Sequence, residues 1–275
     1  MLAGIAASAL MGIESSAEPI ATTYLEVKTW RLHNSAENQA VRLADYLEHG
    51  LAPALAGAGA KLDGAFSNVI GPEGPYYITV VQFASLGAMQ DALTKIALDG
   101  GHKKALEELS SGPGLPFVRV ESSILRSFSG MPQPDVSAAS GHARVFELRT
   151  YESQTFLTLA RKVAMFNEGE MEIFKRLGFR PVFFGETVAG PRQQNLMYML
   201  SYDNLAARDK LWGEFGRAST TPTSRSTVRS RSATGWKPAR SSATWATRAT
   251  RRSPPPTATT ASTPPPAKRS IPTPS

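Results

Sequence analysis

The chain has 275 residues and contains no cysteine. Disulfide bonds, thiolate nucleophiles and cysteine-based metal sites are therefore excluded. A formal net charge of +7 would by itself suggest nucleic acid as a partner. However, residues 217–275 hold eleven of the 30 Lys and Arg side chains and no Asp or Glu, which leaves 19 basic against 23 acidic residues in 1–216. No specific nucleic-acid binding is predicted for this mildly acidic main part.

An apolar run at residues 2–13 has the length of a signal-peptide core and is too short to span a bilayer. Small residues follow at 15–17, where a signal peptidase would cut, but no basic residue precedes the run. We interpret residues 1–17 as a signal-peptide remnant that resembles the apolar part of a twin-arginine signal. The protein would be exported to the periplasm if the charged start lies upstream, and cytoplasmic otherwise. The alternative is a first helix packed on the core; no transmembrane segment is predicted.

The chain contains an internal repeat. Leu25–Trp30 and Phe146–Tyr151 both read apolar-Glu-apolar-basic-Thr-aromatic. A Gly-Pro pair and a second apolar strand, at 77–83 and again at 196–202, follow in each copy at a nearly constant offset. Agreement of two strands and a turn predicts two tandem copies of one structural unit.

Each copy alternates short strands with longer helical patterns. The first copy, 22–128, predicts strands at 23–31, 63–70, 76–84 and 116–126 and helices at 36–57 and 86–109. A Pro- and Gly-containing linker follows at 129–142, and the second copy, 143–216, predicts strands at 144–152, 180–188 and 195–202 and helices at 155–177 and from 204. This order, β-α-β-β-α-β, is that of a ferredoxin-like unit in an α+β protein.

The second copy shows no sequence pattern for its closing strand. Its closing strand should fall at 235–245, which shows no strand pattern, and residues 217–275 contain no Asp, Glu, Leu, Phe or Met. Such a composition cannot bury a core and predicts a disordered basic tail. We interpret this tail as an out-of-frame translation; the alternative is a cationic tail for a membrane or nucleic acid. A second unit lacking its last strand would expose an unpaired edge.

The segment Val145–Tyr151, together with Asn195–Tyr202 and the following Asp-Asn-Leu-Ala-Ala-Arg, resembles the NIPSNAP family. The resemblance is weaker in the first copy, where Lys28 and Trp30 replace the Arg and Tyr. It implies a dimeric α/β-barrel, built here as an intramolecular pseudo-dimer of two units packed sheet to sheet, with a homodimer of the whole chain as an open alternative. The family has no agreed catalytic mechanism.

Alternation along the two repeated strands places a charged and aromatic set on one face of each strand. We predict that helices cover the apolar faces, so that the charged sets meet inside the barrel and bind a small polar or anionic molecule. The alternative is that these charges pair with one another and bind nothing. The predicted ligand-binding residues are Glu26, Lys28, Trp30, Glu147, Arg149 and Tyr151.

No catalytic residue, metal site or cofactor is predicted, because no nucleophile elbow, phosphate-binding loop or metal-ligand spacing occurs. His33 is the one histidine worth testing as a haem ligand, and it is not adopted as a site. The sequence favours a small-molecule-binding or interaction module of undefined activity. The alternative is a dimeric-barrel enzyme such as a cofactor-free oxygenase.

Overall fold

The computed structural model describes residues 22–34, 36–139, 144–220 and 241–248, and for the last range it describes the backbone alone. The predicted signal-peptide remnant, 1–17, and most of the predicted tail lie outside these ranges. No helix within them is long and apolar enough to cross a membrane.

Eight strands and seven α-helices are described. The strands are β1 (Tyr24–Arg31), β2 (Lys61–Ile70), β3 (Tyr76–Phe83), β4 (Arg119–Ser127), β5 (Val145–Glu152), β6 (Arg180–Ala189), β7 (Asn195–Tyr202) and β8 (Ser241–Arg248). The helices are α1 (Gln39–Asp45), α2 (Ala52–Ala58), α3 (Leu86–Leu98), α4 (Gly100–Ser111), α5 (Phe156–Met165), α6 (Met171–Leu177) and α7 (Leu205–Thr220). Two π-helical segments, Tyr46–Leu51 and Phe166–Glu170, join α1 to α2 and α5 to α6, and a 3-10 helix, Val136–Ala139, lies in the linker.

Local sequence explains where several helices begin and end. Gly59 and Gly178 end α2 and α6 with φ of 86° and 83°, in the left-handed region that glycine adopts without steric cost. The stretch predicted as one helix, 86–109, is two helices because Asp99 leaves the helical conformation. Its carboxylate then accepts a hydrogen bond from the backbone N–H of His102 at 2.6 Å and caps α4.

The strands form a closed barrel in the order β1-β3-β2-β8-β5-β7-β6-β4. Strands β1–β4 with α1–α4 form the first unit, and β5–β8 with α5–α7 form the second. Two seams join them, β4 with β6 and β2 with β8, both antiparallel. The prediction of two ferredoxin-like units in a dimeric α/β-barrel is confirmed.

The prediction that the second unit lacks its last strand is wrong. Strand β8 pairs with β5 from Val145 opposite Thr247 to Tyr151 opposite Ser241, and it pairs with β2 on its other side. The physical reason is that a position between two strands supplies backbone hydrogen-bond partners on both sides, so it can be filled without an apolar alternating pattern. Helix α7 likewise continues to Thr220, past the predicted boundary at 216.

The buried apolar side chains form three clusters. One fills the barrel from both units and includes Leu25, Val27, Phe66, Ile78, Leu125, Phe146, Leu148 and Phe183. The other two lie between the sheet and the helices of each unit, around Leu43 and Leu47 in the first and around Phe166 and Phe174 in the second. Both faces of the sheet are therefore buried, the inner against itself and the outer against helices.

Candidate functional site

The six residues predicted to bind a ligand do not lie inside the barrel. The alternating pattern separated the two faces of each strand correctly, but the prediction of which face points into the barrel was wrong. Val27 and Leu148, from the apolar faces, point into the barrel. Trp30 and Tyr151, from the charged and aromatic faces, pack under the helices of their own units. The physical reason is that the interior of an eight-stranded barrel is filled by side chains and forms a core of its own. The two charged sets therefore lie in separate outer layers and do not meet.

In the second unit this set forms a buried network around Glu147, whose side chain is fully buried. One carboxylate oxygen accepts from Arg149 Nη1 at 2.8 Å and from Arg208 Nη2 at 3.0 Å. The other accepts from the Tyr202 hydroxyl at 3.0 Å and from Trp212 Nε1 at 2.9 Å. Burial alone would raise the pKa of Glu147, but the hydrogen bond from Arg208 and the charge of Arg149 outweigh it and lower the pKa.

In the first unit the equivalent set is less extensive. Glu26 pairs with Lys28 Nζ at 3.0 Å and accepts from the Ser122 hydroxyl at 2.9 Å. Trp30 donates from Nε1 to the Thr79 hydroxyl at 3.0 Å. The acids and bases of each set thus pair with one another, which is the alternative that the sequence left open. A ligand-binding role for these six residues stays a prediction.

A second acid, Glu170, lies close to the same network at the end of a π-helical segment. Burial raises its pKa from 4.5 to about 7, even though the nearby positive charges of Lys162 and Arg149 act in the opposite direction. Lys162 Nζ also lies 4.8 Å from the ring centre of Tyr151, in cation–π contact. Segments of this kind, with π-helical geometry and a shifted acid, are frequent at functional sites.

Glu170→Gln is expected to flatten the pH dependence of stability between pH 5 and 7. Because the folded state holds the Glu170 proton up to about pH 7, the unfolded chain ionises first and wild-type stability falls as pH rises through this window. Between pH 5 and 7 the free energy of unfolding of the variant should rise relative to that of wild type by about 1–3 kcal/mol. This range allows for the solvent contact that the Glu170 side chain retains. Urea unfolding at several pH values measures it. Glu172→Gln, at an exposed position two residues on, should leave the pH dependence unchanged; an equal effect there would contradict the assignment.

A cavity of about 410 Å³ opens inside the barrel at the end that carries the β2–β3 and β6–β7 turns. Its floor is apolar and its walls carry polar side chains. The floor and apolar wall residues are Val27, Tyr76, Ile78, Leu148 and Met197, the polar wall residues are Thr29, Glu121, Ser123 and Thr150, and the rim residues are Arg31, Pro72, Glu73, Pro191 and Arg192. The cavity is within the size range of small-molecule sites.

The charges at the rim are largely paired. Arg31 donates to Glu121 Oε2 from Nε at 3.2 Å and from Nη2 at 3.1 Å, and to the carbonyl oxygen of Pro72 from Nη1 at 3.1 Å. Arg192 lies on the opposite turn, half-exposed, and its nearest acid is Glu152 at 4.0 Å. The guanidinium group of Arg31 is thus fully engaged in hydrogen bonds to the protein, whereas that of Arg192 has only a distant ion-pair partner.

The β6–β7 turn is fixed over the cavity by a fully buried amide. Asn195 Nδ2 donates to the carbonyl oxygens of Pro191 at 3.2 Å and Arg192 at 2.7 Å, and its oxygen accepts from the Thr187 hydroxyl at 2.6 Å. Gly190 lies against Ser123 so closely that a Cβ there would be 2.9 Å from its hydroxyl oxygen. The turn therefore has a fixed shape at the mouth.

Sequence reasoning predicted a strand-lined cavity inside the barrel but missed the residues that line it. Thr29 and Thr150 occupy equivalent positions in the two repeated strands, but they were assigned with the apolar set to the helix-facing side. The equivalence of two threonines among apolar neighbours was the signal that could have identified them. His33 lies outside the cavity, and its Nε2 is 2.9 Å from Glu37 Oε2. Within the described ranges no group of three or more His, Asp or Glu side chains is placed to hold a metal ion.

The fold and its interior cavity define a single-chain dimeric α/β-barrel. The NIPSNAP family model matches residues 146–234. The chain therefore carries a NIPSNAP domain in its second unit, and the resemblance drawn from the sequence is confirmed for that part of the chain. No protein of curated function matches the chain.

Several solved structures are similar to the chain. A candidate monooxygenase from Lactobacillus acidophilus is 12% identical, with 82% of this chain and 94% of that chain covered and a TM-score of 0.49. A NIPSNAP family protein of unknown function from Agrobacterium tumefaciens is 21% identical, with coverages of 38% and 88% and a TM-score of 0.32. A mutant chlorite dismutase from Candidatus Nitrospira defluvii is 10% identical, with coverages of 83% and 92% and a TM-score of 0.44.

Proposed function

We propose that this protein binds a small organic molecule in the cavity at the mouth of its barrel. The observation that carries the proposal is the cavity itself, about 410 Å³ in volume, with an apolar floor and a polar wall inside a closed barrel. Concave sites of this size and composition are typical of small-molecule binding. The rim turns come from both units, so the site requires the whole barrel.

We also propose that the two units are copies of one ancestral sequence, because their elements correspond. Their strands follow the same order, and each has a π-helical segment between its first two α-helices. Export of the protein and an out-of-frame origin of 217–275 stay predictions; sequencing the gene and its upstream region tests both.

Thr29→Phe is expected to abolish small-molecule binding by filling the cavity from its wall. Lys28→Met is the matched control, because it changes the neighbouring residue on the other face of β1 and so tests the set predicted from the sequence. A fluorinated fragment library, screened by ¹⁹F NMR on the full chain, should give hits with wild type and with Lys28→Met but none with Thr29→Phe. Hits that survive Thr29→Phe, or no hit with wild type, would contradict the proposal. Circular dichroism of both variants confirms that they are folded.

A further inference from the structure

The two turns at the mouth of the cavity carry opposite charges at equivalent positions. Glu73 on the β2–β3 turn and Arg192 on the β6–β7 turn each follow a Gly-Pro pair, and both line the cavity. Both have a left-handed backbone, with φ of 56° and 57°. This conformation costs free energy in residues other than glycine. The fold therefore holds a charged side chain on each side of the mouth, at positions where glycine would cause less strain.

On the first-unit side of the mouth the charges form a closed and neutral network. Glu73 lies 3.5 Å from Arg31 and 3.3 Å from Arg119. Glu121, which also lines the cavity, lies 3.1 Å and 3.6 Å from the same two arginines. Because two acids and two bases neutralise one another there, neither acid is available to bind a cationic ligand.

On the second-unit side Arg192 has only a distant ion-pair partner. Within the described ranges its guanidinium donates no hydrogen bond to another residue, and the acid it faces, Glu152, is 4.0 Å away and does not line the cavity. The tail supplies no further acid, because residues 217–275 contain no Asp or Glu. The Arg192 side chain is 54% exposed, so its N–H donors are accessible to a ligand at the mouth.

The interior of the cavity suits an apolar group. Val27, Ile78, Leu148 and Met197 form its floor, and a charged group buried against them would lose its hydration. A charged group at the rim stays partly hydrated and gains the attraction of Arg192. The planar guanidinium can donate two parallel hydrogen bonds to a carboxylate.

We propose, on the basis of the proposed binding function, that the cavity takes an amphipathic monoanion, a small apolar molecule with one carboxylate. The apolar part lies on the floor of the cavity, and the carboxylate lies at the mouth, where it accepts hydrogen bonds from Arg192. One negative charge matches the one arginine of the described cavity lining that has no close acid.

Two probes of the same shape test this ligand class: 6-fluoro-2-naphthoate and its neutral analogue 6-fluoro-2-naphthamide. Titration of the full chain at low ionic strength, followed by ¹⁹F NMR, should show the naphthoate binding about ten-fold more tightly than the amide, as expected for charge-assisted hydrogen bonds. This preference should shrink as salt is added, because salt screens charges at an exposed rim. Equal affinity of the two probes, or tighter binding of the amide, would overturn the proposal.

Arg192→Gln should abolish the preference for the naphthoate and leave the affinity for the amide unchanged. Arg180→Gln is the matched control, because it removes the same charge at the start of β6, at the other end of the barrel, from a side chain that is 47% exposed. The control should keep the wild-type preference. A preference that survives Arg192→Gln, or that falls equally in the two variants, would overturn the ligand class while leaving binding in the cavity intact.

Failure of the proposed function gives a different result. If both probes still bind to Thr29→Phe, they bind outside the cavity and the proposed function itself fails. If neither probe binds wild type, the ligand class fails, and the fragment screen decides separately whether the cavity binds a small molecule.

Discussion

Glu147→Ala is expected to destabilise the protein by about 3–5 kcal/mol, the cost of removing one partner from a buried charge network. The fully buried carboxylate accepts hydrogen bonds from two arginines, Arg149 and Arg208, and from Tyr202 and Trp212. Removing it leaves the Arg149 guanidinium, 14% exposed, buried without its acid. Because Arg208 and Trp212 belong to α7, the substitution also removes the hydrogen bonds that tie this helix to β5.

Urea unfolding measures the effect, and Glu26→Ala is the matched control. Glu26 occupies the equivalent position in the first unit, but its partners are Lys28, with 25% of its side chain exposed, and Ser122. Its loss should cost about 1–2 kcal/mol because Lys28 can turn to solvent. Equal losses for the two variants would show that the second-unit network has no special role.

The lowered pKa of Glu147 also determines how the stability of the protein changes at acidic pH. Its pKa is held below the ordinary value in the folded state, so it contributes stability above the unfolded pKa, and this contribution is lost as pH falls towards the folded value. The acid-side loss of stability should therefore be smaller in Glu147→Gln than in wild type, relative to each protein at pH 7.

Truncation after residue 240 is expected to cause the second large effect. It removes β8, which pairs with β2 and β5, and so opens the ring at two strand edges. Unpaired edges of long strands associate with other chains. The truncated chain should lose thermal stability by about 10 °C or more, the shift that a loss of several kcal/mol produces in a domain of this size, and should form aggregates.

A chain ending at residue 248 is the matched control, because it keeps β8 and removes only residues 249–275. Differential scanning calorimetry and light scattering compare the melting and the association of the two truncated chains. The chain ending at 248 should behave as the full chain does. If both truncated chains melt at the same temperature and stay monodisperse, β8 does not close the barrel.

The order of elements could be predicted from sequence because each strand and helix carries a local signal. The repeated strands alternate with period two, and Gly178 stands where a helix ends. These signals are local, and the β-α-β-β-α-β order they give is enough to name a ferredoxin-like unit.

The features that could not be predicted depend on distant parts of the chain. Strand β8 forms where two edges, of β2 and β5, would otherwise stay unpaired, and its own residues give no period-two signal. Which face of each strand points into the barrel also depends on distant parts of the chain. The alternating pattern places Glu147 and Leu148 on opposite faces, but it does not indicate which face the helices cover. A charged residue such as Arg149 looked unsuited to a helix interface, yet Glu147 and Tyr151 hydrogen-bond to it there.

The inner faces of β1 and β5 line a cavity open at one end of the barrel, and the accessibility of single cysteines tests this most directly. Because the chain has no native cysteine, such cysteines report accessibility without background. We expect Thr150→Cys, in the cavity wall, to react under native conditions with a small methanethiosulfonate reagent and far more slowly with a polyethylene glycol maleimide. Phe146→Cys, on the same face of β5 but in the closed core, should react with neither reagent until the protein unfolds. Equal protection of the two cysteines from the small reagent would contradict the cavity and the function built on it.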